Sequence, residues 1–227
     1  MSAARQLDLL TSSLAGGDPG PRDHAPVTRE QLDEDCWVDL ARGWLVGADD
    51  VFDACRERLT WSQRRRPMFG ELVLEPRLTA PVPLHDPTTP PVLARCAEHL
   101  SARYGTSLRA AWANLYRDGD DAVAWHADRI GRTERDPIVA VLTLGGPRPF
   151  AMRPLRHPSE REPGADGSVA GTQRASHRWT LHSGDLLVMG GSCQHRWEHT
   201  VARRRSAPPR ISVTFRAGGQ PGAPGLG

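Results

Sequence analysis

Arg210-Ile211-Ser212-Val213-Thr214-Phe215-Arg216 alternates without a break, with Ile211, Val213 and Phe215 on one side and Arg210, Ser212, Thr214 and Arg216 on the other. Period-two alternation predicts a strand with an apolar face for a core and a polar face turned elsewhere. Working back from it, short extended runs separated by Gly, Pro and Asp recur at Leu108–Tyr116, Ala122–Asp128, Ile138–Leu144, Pro149–Arg153, Arg178–His182 and Leu186–Met189. That spacing predicts a mainly β domain with a double-sheet or barrel-like core.

Before Gly105 the pattern is mixed. Asp49-Asp50 predicts the cap of a short helix that buries Val51, Phe52, Cys55 and Leu59. A second helix is predicted after Pro90-Pro91, burying Val92, Leu93, Cys96 and Leu100 and stopping at Gly105. Glu71–Leu78 reads as extended and Pro81–Pro91 as a loop. Residues 1–34, rich in Gly, Pro, Asp and Ser, read as a disordered leader, 35–216 as the domain and 217–227 as a flexible tail. Arg156–Gln173 reads as a surface insertion.

Composition narrows the class. The 227 residues suffice for one sizeable core. No apolar run approaches the roughly 18 residues of a membrane span, and no signal peptide is read at the start. A monomer in the cytoplasm is therefore expected. Cys36, Cys55, Cys96 and Cys193 are dispersed and read as buried thiols rather than a disulfide framework or a zinc site. The net charge of +2 does not announce a nucleic-acid binder. All 29 basic residues are arginine, however, and two runs stand out, Arg64-Arg65-Arg66 and Arg203-Arg204-Arg205. Both are either solvated faces or forks that grip phosphate.

The residues able to carry chemistry begin with His126-Ala127-Asp128. On a strand, positions i and i+2 share a face, so imidazole and carboxylate can converge on one ion. A second histidine would complete the two-histidine, one-carboxylate facial set that leaves open positions on ferrous iron. Chance alone supplies on the order of one His-x-Asp pair in such a chain, so the spacing is weak by itself. His199 is the preferred partner from the C-terminal β region, with His182 and His195 as alternatives. The polar face of Arg210–Arg216 reads either as arginines in water or, beside a metal, as a clamp for a small dicarboxylate, which guanidinium binds bidentately. Asn114 and Tyr116, again at i and i+2, can add neutral hydrogen bonds to the same ligand.

Taken together, these segments resemble the AlkB family. Asn114-Leu115-Tyr116-Arg117-Asp118-Gly119 and Trp125-His126-Ala127-Asp128 are similar to its Asn-x-Tyr and His-x-Asp motifs, in order. Trp197-Glu198-His199 and Pro209–Arg216 resemble its C-terminal segments, Gly184–Met189 its strand before the distal histidine, and Pro76-Arg77-Leu78-Thr79 an upstream piece. The resemblance covers about residues 37–216. It implies a double-stranded β-helix, or jelly-roll, core with flanking helices. It implies Fe(II) held by His126, Asp128 and His199, with 2-oxoglutarate and O2 as co-substrates. Arg210 would pair with an oxoglutarate carboxylate, assisted by Asn114, Tyr116 and Arg216. The implied reaction is oxidative dealkylation of N-alkylated bases in DNA, or RNA, releasing formaldehyde and succinate. A base in a duplex must first be flipped out.

For the substrate, the resemblance implies a base stacked between His126 and an aromatic of a lid, here Phe69 in preference to Trp61. Arg64, Arg65 and Arg66 would grip phosphate, with some of Arg203–Arg205. Two departures concern the substrate: Ile130, after Arg129, stands where much of the family has an acidic residue, and Ala80-Pro81-Val82-Pro83 replaces aromatic residues. The alternatives are an Fe(II)/2-oxoglutarate hydroxylase or demethylase acting on a protein, lipid or small molecule, and a non-enzymatic β-sandwich interaction protein.

Overall fold

The computed structural model describes residues 18–68, 71–128, 134–155 and 176–217. In chain order the elements are β1 (Gly20–Pro21), β2 (Val27–Gln31), β3 (Cys36–Ala41), β4 (Leu45–Val46), α1 (Ala48–Arg58), β5 (Arg65–Met68), β6 (Glu71–Leu74), β7 (Leu78–Val82), α2 (Pro91–Tyr104), β8 (Ala110–Tyr116) and β9 (Val123–His126). There follow β10 (Val139–Gly145), β11 (Arg148–Pro154), β12 (His177–Leu181), β13 (Leu186–Gly191), α3 (Cys193–Arg196), β14 (Trp197–Val201) and β15 (Arg210–Arg216). A seven-stranded sheet, β2-β3-β13-β10-β15-β8-β7, faces a four-stranded sheet, β12-β11-β14-β9. Every described pairing is antiparallel. The expected jelly-roll core with flanking helices is the observed architecture.

Alternation along the large sheet makes two cores. Ile211, Val213 and Phe215 of β15, Ala140, Leu142 and Leu144 of β10, and Ala111, Ala113 and Leu115 of β8 are buried against Val51 and Cys55 of α1 and Leu93, Cys96 and Leu100 of α2. Each fully buried aliphatic side chain contributes about 1.5–3 kcal/mol. The opposite faces meet between the sheets, where Val139 and Val141 of β10, Leu187 and Met189 of β13, Phe150 and Met152 of β11, and Trp197 and Val201 of β14 are gathered. The inner face of β15 is polar, so this second core gives way to a chamber between β15 and β8 on one side and β14 and β9 on the other.

Several boundaries differ from expectation. Val27–Gln31, inside the stretch expected to be a leader, is the edge strand of the large sheet, and its Arg29 forks onto Asp39 at 2.7 and 2.8 Å. Polar composition hid it because an edge strand needs only one buried neighbour. Helix α1 begins after Gly47 in the left-handed region (φ 67°), with Asp49 and Asp50 in its first turn and no side-chain cap. The carboxylates favour the helix's positive end rather than capping it. Helix α2 starts at Pro91 and closes on Gly105 at φ 62°, as read. The four cysteines are free and buried. Residues 1–17, 156–175 and 218–227 lie outside the described residues, and with them the expected insertion and most of the expected tail.

Two features tie the loops behind the chamber. Arg148, fully buried, donates from its terminal nitrogens to the carbonyls of Asp118, Asp121 and Ala202. A Cβ on Gly119 would lie 2.3 Å from the Arg204 carbonyl oxygen, so only glycine lets these two loops meet. The arginine run 203–205 therefore lies beside the 118–121 loop, at the end of β8 that carries Tyr116.

Candidate metal centre

His126 and His199 are directly opposed across the β9–β14 pairing, with their rings 4.2 Å apart, centroid to centroid. Asp128 is not on a strand. The ladder ends at His126, so alternation alone does not aim this carboxylate. Its backbone N–H instead donates to Oε1 of Gln194 at 2.8 Å, a buried side chain at the start of α3. One ligand atom from each of His126, Asp128 and His199 lies within 4.8 Å of the other two. Bonds of about 2.1 Å to one ion can gather such a set with small side-chain movements.

The protonation states suit coordination. Full burial, with His126 alongside, holds His199 well below the usual imidazole range, so its ring is neutral and keeps a lone pair. Nδ1 of His126 lies 2.9 Å from the Ala124 carbonyl. A carbonyl can only accept, so Nδ1 carries the proton and Nε2, 3.9 Å from Asp128 Oδ1, is free to bind a cation. His182 and His195 are elsewhere. His182 is mostly exposed beside Asp185, and Nε2 of His195 meets the carbonyls of Glu134 and Arg135.

A second charge sits deeper in the chamber. Arg210 is fully buried, donates to Ser212 Oγ at 3.3 Å and Thr143 Oγ1 at 3.0 Å, and its Nε has no hydrogen-bond partner. No carboxylate pairs with it among the described residues. Desolvation lowers its pKa to about 10. An uncompensated buried guanidinium is costly, and a small anion would relieve it. Tyr116, on the adjoining strand, places its ring 5.5 Å from that guanidinium. Asn114, two residues along the same face, accepts at Oδ1 from Arg77 Nε (3.1 Å), which leaves its amide N–H groups free to donate. Arg216, at the far end of β15, lies 3.9 Å from Asp128 Oδ2. Two imidazoles, one of them held neutral by burial, one carboxylate and a buried guanidinium without a carboxylate partner among the described residues are a set that fits a divalent metal beside a dicarboxylate.

The sequence reading missed Gln194, which holds the Asp128 backbone, because nothing in the sequence separates it from an ordinary surface residue. Arg77 stood in the upstream segment that resembles the family, but its contact to Asn114 was not legible there. The expected substrate residues divide. Phe69, Arg129 and Ile130 lie outside the described residues, as does the Arg66 side chain. Arg65 is exposed on β5 of the separate β5–β6 hairpin. Arg64 does not simply face solvent: its guanidinium lies 4.5 Å from the centre of the Trp112 ring. Trp61 packs partly against the helix-side core, as weighed from the sequence.

Known proteins share this arrangement of sequence. The chain is 32% identical over 184 residues to alpha-ketoglutarate-dependent dioxygenase alkB homolog 3 of Bos taurus, covering 76% of this chain and 62% of that protein. It is 30% identical over 193 residues to DNA oxidative demethylase ALKBH2 of Arabidopsis thaliana, covering 73% and 60%. The chain thus spans about three fifths of the length of these curated relatives. In fold it is similar to the solved structure of OsALKBH1, at a TM-score of 0.54 and 15% identity over 84% of this chain and all of that one. The sequence model of the 2OG-Fe(II) oxygenase superfamily matches residues 78–216, from the strand beside Asn114 to the strand bearing Arg210, and the chain belongs to that superfamily.

Proposed function

We propose that this chain is an Fe(II)/2-oxoglutarate-dependent dioxygenase that removes alkyl groups from the nitrogens of bases in DNA or RNA. The observation that carries the reading is the His126–Asp128–His199 cluster lying in one chamber with the buried Arg210, whose Nε has no hydrogen-bond partner. The relatives named for dioxygenase and DNA demethylase activity support the substrate class. On this reading His126 Nε2, an Asp128 oxygen and one His199 ring nitrogen hold the iron. Arg210 takes the distal carboxylate of the oxo acid, with Tyr116 and Asn114 as neutral donors and Arg216 steadying Asp128. Iron, oxoglutarate and dioxygen together supply the oxidation of N–CH3 to N–CH2OH, with succinate and carbon dioxide leaving, and the hemiaminal then releases formaldehyde and the free base nitrogen.

The protein's own part is positional and electrostatic. The Ala124 carbonyl fixes the His126 tautomer, and Gln194 holds the Asp128 backbone where the strand has ended. Burial keeps His199 unprotonated and makes Arg210 selective for an anion. Phe69 and His126 remain the proposed stacking pair for the extruded base, and Arg64, Arg65 and Arg66 the proposed phosphate contacts. The chain is proposed to act as a monomer in the cytoplasm. No described helix is long and apolar enough to cross a membrane.

The test is a panel of N-alkylated single- and double-stranded DNA and RNA oligonucleotides, read by mass with iron and oxoglutarate. Loss of alkyl mass with stoichiometric formaldehyde and succinate is expected. Oxoglutarate turnover without any change in oligonucleotide mass would defeat the base reading and favour a protein, lipid or small-molecule substrate. Absence of all iron-dependent oxoglutarate turnover would leave a β-sandwich interaction protein.

A further inference from the structure

Trp112 is an aromatic without a core. It lies on β8 in the same inward-facing row as Asn114 and Tyr116, paired across the sheet with Thr214 on β15 and Pro81 on β7. Yet it belongs to neither apolar cluster, unlike Trp44, Trp179 and Trp197, which are buried within them. It is only half-buried, and its indole N–H has no hydrogen-bond partner among the described residues. The group that covers it is the Arg64 guanidinium, 4.5 Å from the ring centre. A guanidinium over an indole face attracts it electrostatically and holds the ring in place without packing it into a core.

Its position says what the ring faces. Along β8 it is two residues, or about 7 Å, beyond Asn114 on the side away from Arg210. Its cross-strand neighbour Thr214 is followed on the same face by Arg216, whose guanidinium is 3.9 Å from Asp128. Trp112 therefore stands toward the Arg216–Asp128 end of the inner face, on the sheet that does not carry His126. A flat apolar wall with an N–H donor unpartnered among the described residues, on the same face of β8 as Asn114 and Tyr116, suits a planar heteroaromatic ring with acceptor atoms on its edge.

We propose that Trp112, held in place by Arg64, is a specificity-determining wall of the substrate pocket that the extruded base contacts in addition to the proposed Phe69–His126 pair. The inference rests on the base-dealkylation reading and deepens it. It also gives Arg64, beside the proposed phosphate contact, the task of orienting the indole.

The test uses the full chain and N-methylated single-stranded oligonucleotides. Stacking of one base on an aromatic is worth about 1–3 kcal/mol, so Trp112→Leu should raise KM for the oligonucleotide by roughly 5- to 150-fold with kcat changed little. The oxoglutarate requirement should stay as in the parent protein. Trp112→Phe should recover most of the affinity. With manganese in place of iron, the methylated oligonucleotide should quench tryptophan fluorescence in the parent protein and lose that quench in Trp112→Phe, a readout that survives if the leucine variant does not fold. Equal KM in Trp112→Leu and the parent, or an equal quench in Trp112→Phe, would overturn the proposal while base dealkylation stands. If the parent protein turns over oxoglutarate but neither binds nor alters any alkylated oligonucleotide, the base reading fails and the proposal falls with it.

Discussion

Arg210→Met separates a binding role for this arginine from a structural one, because the two predict opposite changes in stability. In the free protein the guanidinium is fully buried, with Nε unpaired. Desolvation lowers its pKa to about 10, net of a favourable Tyr116 contact, and that lowering scales with the cost of keeping it charged there. At 1.36 kcal/mol per pH unit that cost is about 3 kcal/mol. Methionine removes the charge and keeps most of the volume, at the loss of two hydrogen bonds to the Ser212 and Thr143 hydroxyls, each worth about 1 kcal/mol. The free variant should therefore be about 1–2 kcal/mol more stable than the parent, a rise in Tm of roughly 2–8 °C for a domain of this size. The sign with pH is definite. A base whose folded pKa is depressed carries its full penalty at every pH below the folded value and is relieved only above it. The gain should thus be constant from about pH 6 to 9 and shrink as pH climbs past about 10. Oxoglutarate at 100 times its Kd should stabilise the parent by about 2.7 kcal/mol, or roughly 5–11 °C, and the variant hardly at all. Thermal melts of both proteins, with and without oxoglutarate, decide it. A variant that melts below the parent yet keeps the oxoglutarate shift would refute the assignment of Arg210 as carboxylate anchor.

Gln194→Ala removes the acceptor of the Asp128 N–H, so metal affinity should fall about 10- to 100-fold by titration, with the fold retained; unchanged affinity would show that Asp128 is held by other means. Arg148→Met should behave as a structural lesion, losing about 2–4 kcal/mol because the Asp118, Asp121 and Ala202 carbonyls lose their donors, with the oxoglutarate half-saturation of the remaining folded protein unaltered. Denaturant melts paired with co-substrate titration check both halves. Arg65→Gln should flatten the dependence of oligonucleotide affinity on log salt by about 0.9 and weaken all sequences alike, whereas Trp112→Leu should leave the slope in place; an unchanged slope in Arg65→Gln would remove it from the phosphate contacts.

The strand Arg210–Arg216 was legible to the residue, because a strand buried on both sides by different chemistries must alternate strictly, and the pattern admits one register. The same rule made β8 and β10 legible within a residue or two, and the proline and glycine that bound α2 marked its ends. The cluster of His126, Asp128 and His199 was legible because few residue types ligate iron and the motifs stand in order. What the sequence could not show was what holds those groups. Asp128 falls two residues beyond the last ladder pair, and its place depends on Gln194, 66 positions away. The orphaning of Arg210 exists only once two sheets exclude water from it, and the half-buried Trp112 reads on a strand as one more core aromatic. Edge strand β2 was lost to its polar composition, since its pairing with β3 is made by backbone groups that every residue carries. Residue types and local period determined the strands and the ligand candidates. Desolvation, long-range hydrogen bonds and the facing of two sheets are properties of the folded chain alone, and they decided which groups are neutral, which charge is unpaired and which ring is left open.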